Sequence, residues 1–152
     1  MADTIVKDRR VNSRRIVESL VESRTKTLAQ YKEVMTYYPF EIDETLKEVL
    51  EDFCESMVDY TARAHFYLYN YLEENKERRT TVLKIADSVY PKLVDNTQLL
   101  LDFHDRYSSD VTELDCEKLE NCLNGVGELM AVRINLEDEV INALLSMDGI
   151  GH

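Results

Sequence analysis

The sequence predicts an all-α protein, an up-down antiparallel bundle of four main helices. Three observations lead to this fold class. Four long segments repeat apolar residues at the alternating three-and-four spacing of one helix face. The 152 residues include only 4 Gly and 2 Pro, whereas an all-β fold needs many tight turns made by these residues. The links between the segments are short, and short links make successive helices antiparallel.

The first two helices are predicted near residues 12–36 and 43–74. Helix one has one apolar row, interrupted by an arginine: Val17, Val21, Arg24, Leu28, Tyr31 and Met35. Helix two has the clearest row: Leu46, Leu50, Phe53, Met57, Tyr60, Ala64, Tyr67 and Tyr71. A parallel row that includes Cys54, Val58 and His65 widens its buried face. Asp43 precedes helix two and is suited to capping it.

Helices three and four are predicted near residues 79–107 and 114–147. The row of helix three is Leu83, Ala86, Tyr90, Leu93, Thr97, Leu100, His104 and Tyr107. Pro91 interrupts it, and because proline lacks an N–H and clashes with the preceding turn, we predict a kink or break there. The row of helix four is Leu119, Cys122, Val126, Leu129, Arg133, Leu136 and Val140.

The length predicts a single domain over residues 1–152, with frayed ends at 1–11 and 148–152. The longest stretch free of Asp, Glu, Lys and Arg is the nine residues Ala64–Leu72, whereas a transmembrane helix needs about 20. The first residues lack the apolar core of a signal peptide. Three cysteines, an odd number, are predicted to be small buried side chains in a reducing compartment. We therefore expect a cytoplasmic protein.

The net charge of -12 disfavours direct binding to nucleic acid or to anionic lipid and favours a basic protein partner. The charge is unevenly distributed, because residues 1–36 carry 8 basic and 5 acidic groups while the remainder carries 10 and 25. The densest acidic block is Glu41–Asp59.

Motifs for metal, nucleotide or nucleophilic chemistry do not assemble in this sequence. A di-iron bundle needs Glu-x-x-His, but Ala62 and Leu101 stand three residues before His65 and His104. The cysteines form no Cys-x-x-Cys pair, so zinc is disfavoured as well. Gly125-Val-Gly127 lacks the remainder of a dinucleotide fingerprint, and its glycines are better explained by close helix approach or by loosening of the start of helix four. We predict no enzyme, no cofactor and no metal, and hydrogen-bonded core positions for both histidines.

Arg24 and Arg133 lie on apolar rows, where a guanidinium needs carboxylate partners from neighbouring helices. Glu137 follows Arg133 by four residues, the spacing of an ordinary surface pair. A partly buried polar network that includes Arg24, Arg133 and Glu137 is favoured over a ligand site.

Helix two carries acidic residues opposite its core face. At about 100° per residue from Leu46, this acidic stripe falls near 160–240° and consists of Glu44, Glu48, Asp52, Glu55 and Asp59. Phe66 and Tyr69 continue the same direction, so two rings point away from the core. Acids beside exposed aromatic rings are typical of a protein interface. A solvated acidic face, with the rings covered by helix one, explains the periodicity equally well.

Several segments resemble one known family in the correct order. They are Leu50-Glu-Asp-Phe-Cys-Glu-Ser-Met-Val-Asp-Tyr60 with Ala64-His-Phe66 and Tyr69, Arg24 and Tyr31, Tyr90-Pro-x-Leu-x-x-Asn-Thr-Gln98, and Gly127-Glu-x-x-x-x-Arg133-x-x-Leu-Glu-Asp138. The chain resembles the Rsd/AlgQ family of bacterial regulators of the housekeeping sigma factor over nearly its whole length. It departs from some relatives at Leu20, where a larger aromatic residue is expected.

The resemblance implies an all-helical anti-sigma factor that regulates transcription by occlusion. It would bind region 4 of the principal sigma factor in a 1:1 complex and cover surfaces needed for the -35 promoter element and for core RNA polymerase, as in stationary phase. The expected partner-binding residues are Leu20, Glu51, Glu55, Asp59, Phe66 and Tyr69. An acidic helical adaptor for another basic protein is the alternative, and a bundle enzyme with an unassigned site is a third.

Overall fold

The computed structural model describes residues 2–66, 80–107 and 116–150, with side chains for 14–66, 80–107 and 117–145. Four helices account for most of these residues, and the described ranges contain no strand. The helices are α1 (Ala2–Met35), α2 (Glu44–Ala64), α3 (Thr80–Tyr107) and α4 (Cys116–Ile150). The predicted all-α class with four main helices is confirmed. The predicted links at 74–79 and 108–115 lie outside the described residues.

Side-chain pairs establish that α1 and α2 run in opposite directions. Tyr31 packs on Phe53 with ring centroids 5.6 Å apart, while Thr27, earlier in α1, donates to the carbonyl of Ser56, later in α2. Packing is most extensive between α1 and α2 and between α3 and α4, and the pairs α2–α3 and α1–α4 close the ring. Within the part of the chain that the model describes, no helix is both long and apolar enough to cross a bilayer.

Two helix boundaries, the start of α1 and the end of α4, differ from the predicted ones. Helix α2 is an α-helix as far as Ala64, and its predicted end at 74 lies outside the described residues. Asp43 caps α2 as predicted, because its Oδ1 accepts from Leu46 N at 2.8 Å. Helix α1 begins at Ala2, ten residues before the predicted start, in a stretch that contains neither Gly nor Pro. Helix α4 ends at Ile150 rather than at 147. Helix α3 continues through Pro91 as one element, so Pro91 does not end it, and the kink stays a prediction.

The core face of α2 matches the predicted one. The predicted α2 positions that are buried are Leu46, Leu50, Phe53, Cys54, Met57, Tyr60, Thr61 and Ala64. In α3 half of the predicted positions are buried, namely Ala86, Leu93, Leu100 and Tyr107. At the other positions the preceding residue is buried instead, as Val82, Val89 and Phe103 are, while Leu83 and Tyr90 are only half-buried. Burying one face of each helix gives a single core between the four helices, and this core orients the remaining faces toward solvent.

Candidate partner-binding surface

The acidic stripe of α2 lies on the surface. Its five residues and the neighbouring Glu51 are all exposed, because the opposite face of α2 is buried in the core. An amphipathic helix separates its two faces in this way whenever its apolar and charged residues differ by about half a turn. The predicted direction of the stripe is therefore correct, and the carboxylates are available to an external cation.

Asp59 has an intramolecular partner that the sequence analysis did not identify. Its Oδ2 accepts from Nε of Arg63, one helical turn later, at 2.8 Å. Both side chains are about half exposed, 47% for Arg63 and 59% for Asp59, so the pair is solvent-screened and weak. A cationic group of another protein that approaches Asp59 competes with Arg63 for the same carboxylate.

The expected apolar contacts differ in their accessibility. Phe66 is 59% exposed and lies two residues past the end of α2, where the helical angle places it in line with the acidic stripe. Leu20 is fully buried in the core, so it is not an accessible contact in the free chain. Its burial follows from its position beside Val17 on the core face of α1. Tyr69 lies outside the described residues.

An apolar groove separates α2 from α3 next to Phe66. Its volume is about 720 Å³. Val58 and Ala62 of α2, together with Phe66 just past its end, form one wall, and α3 contributes Val94 and Leu101 to the other. Val94 is 47% exposed and adjoins Phe66 through this groove, so the two form one apolar patch rather than isolated exposed residues. This groove, which the sequence analysis did not predict, extends the exposed apolar surface beyond Phe66.

Beneath the groove, a polar network links all four helices. Arg133 is 1% exposed and donates from Nε to Glu137 Oε2 at 3.0 Å and from Nη1 to Thr97 Oγ1 at 2.7 Å. Tyr60 donates to the other oxygen of Glu137, and its ring lies 5.3 Å from the guanidinium carbon of Arg133. Arg24 places Nη1 3.6 Å from Glu137 Oε1. The predicted network is therefore confirmed, but the Arg133–Glu137 pair lies in the core rather than at the surface.

Electrostatically the network is balanced. Arg24 and Arg133 face Glu137 and Asp138, and Arg24 Nη1 reaches Asp138 Oδ1 at 2.9 Å. Desolvation by burial raises the pKa of Glu137, and Arg133, Tyr60 and Arg24 partly offset this effect. Desolvation also raises the pKa of Tyr60, and the neighbouring carboxylate of Glu137 adds to that shift. Each of these groups therefore has a partner within the protein.

Two glycines of α4 differ in their surroundings. Gly127 faces Tyr31, whose hydroxyl occupies the space where a Cβ would stand and whose Cζ would be 3.0 Å from it. That hydroxyl donates to the carbonyl of Leu123 at 2.8 Å. A Cβ on Gly125 would meet nothing within 4 Å. The expectation of close helix approach is confirmed at Gly127 and does not hold at Gly125.

The expected core position is wrong for both histidines. The expected burial of the cysteines holds for Cys54 and not for Cys122, and the side chain of Cys116 lies outside the described residues. His65 is exposed with its ring centroid 6.3 Å from that of Tyr90, and His104 is partly exposed with Nδ1 3.2 Å from Asp105 Oδ1. Both histidines lie at the edge of the buried face, where an apolar row and the surface meet. Cys54 is buried as expected, whereas Cys122 is half-buried. Among the residues described, no group of three or more His, Cys, Asp or Glu is arranged to hold a metal ion.

Two members of the network were not assigned from the sequence. Asn96 is 4% exposed, donates to the carbonyl of Leu129 at 2.8 Å and accepts from Arg133 at 3.4 Å. Thr97 was expected only as a core position. An asparagine inside a helix is unfavourable unless its amide has a partner. The position of Asn96 within helix three was therefore the sequence feature that could have indicated its place in the network.

The structure is therefore that of an all-α bundle with a satisfied polar core and an exposed face that carries the acidic stripe and Phe66. Comparison with known families gives the class of protein. The family described as "Regulator of RNA polymerase sigma(70) subunit, Rsd/AlgQ" matches residues 3–145. The chain belongs to the Rsd/AlgQ family, and it is thus a member of a family of transcription regulators.

Individual relatives carry a consistent name. A protein of Yersinia enterocolitica named "Regulator of sigma D" is 29% identical over 133 residues, which cover 85% of this chain and 80% of the relative. A protein of the same name from Salmonella arizonae is 36% identical over 98 residues, covering 62% and 59% of the two chains. A Yersinia pestis relative, also "Regulator of sigma D", is 28% identical over 133 residues, covering 85% and 79%. No solved structure matches the chain.

Proposed function

We propose that this chain is an anti-sigma factor that binds region 4 of the principal sigma factor and blocks its contacts with the -35 promoter element and with core RNA polymerase. The observation that supports this proposal is the continuous exposed row from the acidic stripe to Phe66. The names of the relatives, regulators of sigma D, indicate the same class of partner. The action is occlusion in a 1:1 complex, and it takes place in the cytoplasm, where RNA polymerase works.

The charge of the surface suits such a partner. A DNA-binding helix-turn-helix presents Lys and Arg to phosphates, and carboxylates on a protein surface engage the same groups. The chain carries a net charge of -12, so long-range attraction accelerates encounter with a basic surface. Because exposed ion pairs are screened within about 8–10 Å at physiological salt, binding should weaken as ionic strength rises.

Within this surface the residues have different roles. Phe66 provides an apolar anchor, the kind of side chain whose truncation in a buried hot spot costs about 2 kcal/mol or more. Asp59 accepts from an arginine or lysine of region 4. Glu51 and Glu55 lie toward the rim, where charges affect association rate and salt dependence more than affinity. Leu20 and the neighbouring core keep α1 behind this part of α2.

The test compares matched alanine variants in binding to purified region 4 by isothermal titration calorimetry. Phe66→Ala should weaken binding about 30-fold, which corresponds to about 2 kcal/mol, and Asp59→Ala should also weaken it. Leu99→Ala and Glu139→Ala are the controls, because Leu99 is 52% exposed on α3, Glu139 is exposed on α4, and neither lines the groove beside Phe66. These controls should bind as the parent does.

Circular dichroism must show that all four variants melt cooperatively. If Phe66→Ala and Asp59→Ala remain folded and bind as tightly as the parent, this face is not the interface. If the parent itself fails to bind region 4, the proposed function is wrong, and the acidic adaptor becomes the better hypothesis.

Arg63→Ala provides a test in the opposite direction. Removal of Arg63 releases Asp59 from its 2.8 Å ion pair and deletes a positive charge beside the interface. An exposed pair is worth about 0.2–1 kcal/mol, so affinity for region 4 should rise by up to about fivefold. A decrease in affinity would mean that Arg63 itself contacts the partner and that Asp59 is not the acceptor.

A further inference from the structure

We propose that the groove between α2 and α3 receives one amphipathic helix of the partner, with an apolar ridge inserted and Lys or Arg residues along both of its flanks. This inference rests on the proposed function and extends the binding surface from one helix face to a two-walled site. Three observations support it, namely the length of the groove, the residues that line it and the charges beside it.

The groove is long enough for the apolar row of a short helix. Its lining runs from Val58 in α2 to Phe66 just past the end of that helix, and from Tyr90 to Leu101 on α3. At 1.5 Å per residue these spans are about 12 and 16 Å, while helix anchors at positions i, i+3 or i+4 and i+7 span about 10.5 Å. A volume of about 720 Å³ leaves room for such a row of apolar side chains.

The lining is apolar, and its polar floor is already satisfied. Thr97 and Arg133 lie at the bottom of the groove, but both are engaged in the network, with Thr97 Oγ1 accepting from Arg133 at 2.7 Å. The floor therefore offers an incoming molecule few unmet hydrogen bonds. The exposed residues of the lining are Ala62, His65, Phe66, Val94 and Gln98, of which three are apolar. Such a lining favours an apolar ridge over a polar ligand.

Acidic residues lie near the groove on both helices. The exposed acids of these two helices that lie within four residues of a lining residue are Glu55, Asp59, Asp87, Asp95, Asp102 and Asp105. Arg63 and Lys92 carry the opposite charge there, and Arg63 is paired with Asp59. Gln98, on the α3 wall, donates to Asp102 at 3.0 Å. Negative charge on both sides of an apolar groove complements a helix that is apolar along one face and basic along its flanks.

The groove is also continuous with the proposed interface. Phe66 belongs to both, because it lines the groove and lies in line with the acidic stripe. A partner that covers Phe66 therefore also covers the mouth of the groove. A partner that covered the acidic stripe and Phe66 but not the groove would leave Val94 exposed at the edge of the interface.

The test places a charge in the groove away from the acidic stripe. Val94→Lys adds an ammonium to the α3 wall, and Val132→Lys is the matched control, because Val132 is 53% exposed on α4 and does not line the groove. Binding of region 4 should weaken about tenfold or more for Val94→Lys and remain within about twofold for Val132→Lys. A photo-crosslinking amino acid at position 94 should label a basic amphipathic segment of region 4.

Each outcome separates the two proposals. If Val94→Lys binds as the parent does while Phe66→Ala weakens binding, the groove proposal is wrong and the proposed function stands. If region 4 does not bind the parent, both fail. If sedimentation velocity shows that the parent self-associates and that Val94→Lys abolishes this, a second copy occupies the groove and the proposal is overturned. Val94→Ala, which adds no charge, should weaken binding less than Val94→Lys.

Discussion

Gly127 and Gly125 stand two residues apart in α4, and the same substitution should have opposite effects at the two positions. Gly125→Ala adds a Cβ in open space, whereas Gly127→Ala places a Cβ where the hydroxyl of Tyr31 lies. Both changes remove a glycine from a helix interior, so the gain in helix propensity is common to them. The difference between the variants therefore reports the contact of α1 with α4 at Tyr31.

The magnitudes follow from these contacts. Gly125→Ala should stabilise the protein by about 0.5–1 kcal/mol. Gly127→Ala has the same favourable change in helix propensity, but it forces Tyr31 to move. Overpacking costs about 1–3 kcal/mol, and loss of the hydrogen bond from Tyr31 to the carbonyl of Leu123 costs about 1 kcal/mol more. The two variants should thus differ by about 2–4 kcal/mol in free energy of unfolding, with Gly127→Ala less stable than the parent.

Urea denaturation followed by circular dichroism measures these free energies. A double-mutant cycle with Tyr31→Phe identifies the cause, because removal of the hydroxyl should cost less in the Gly127→Ala background than in the parent. Equal stabilisation by the two alanine substitutions, or a cycle without coupling, would show that Tyr31 does not restrict position 127.

The remaining predictions concern the buried groups. Arg133→Met leaves Glu137 without its closest counter-ion and should lower the free energy of unfolding, measured by urea denaturation, by about 3–5 kcal/mol. Arg15→Met is the control, because Arg15 is exposed, and it should change that free energy by about 0.5 kcal/mol or less. Burial raises the pKa of Glu137 above its ordinary 4.5, so the folded state binds its proton more tightly than the unfolded state does. The stability of the parent relative to Glu137→Gln should therefore fall as pH rises above 4.5, and a pH-independent difference would contradict the shift. Burial, with smaller contributions from Glu51 and Glu55, raises the pKa of Cys54 from 9.0 to about 12. Because the thiolate is the reactive form, alkylation of Cys54 near pH 8 should be about 1000-fold slower in the folded than in the urea-unfolded protein. Peptide mass spectrometry measures the two alkylation rates. Equal alkylation rates would mean that the thiol is accessible.

The core of α2 was predictable because its apolar and charged residues fall on opposite faces. The α3 face was less predictable, since apolar residues adjoin one another at positions 82 and 83 and at 89 and 90, and periodicity alone permits either neighbour to be buried. Contacts with α4 determine which face of α3 is buried, and among them Arg133 bonds to Asn96 as well as to Thr97. Tertiary contacts of this kind cannot be derived from a single helix.

The candidate surface was predictable to a similar extent. The outward direction of Asp59 and Phe66 follows from helical angles, and the structure leaves both exposed. The ion pair of Asp59 with Arg63 could have been predicted, because a spacing of four residues favours an ion pair on a helix. The groove could not have been predicted, since its width depends on the separation of α2 and α3. No residue pattern within either helix specifies that distance.

The buried network also determines how the helices are aligned along the bundle axis. Leucine packed on leucine tolerates a shift of one helical turn, because one apolar contact replaces another of similar shape. Here Arg24, Tyr60, Thr97 and Glu137 come from four different helices and meet Arg133 or one another at one level of the bundle. A shift of one turn, about 5.4 Å, would separate them and leave a charge in the apolar interior. The network thus selects one register among the several that apolar packing alone would allow.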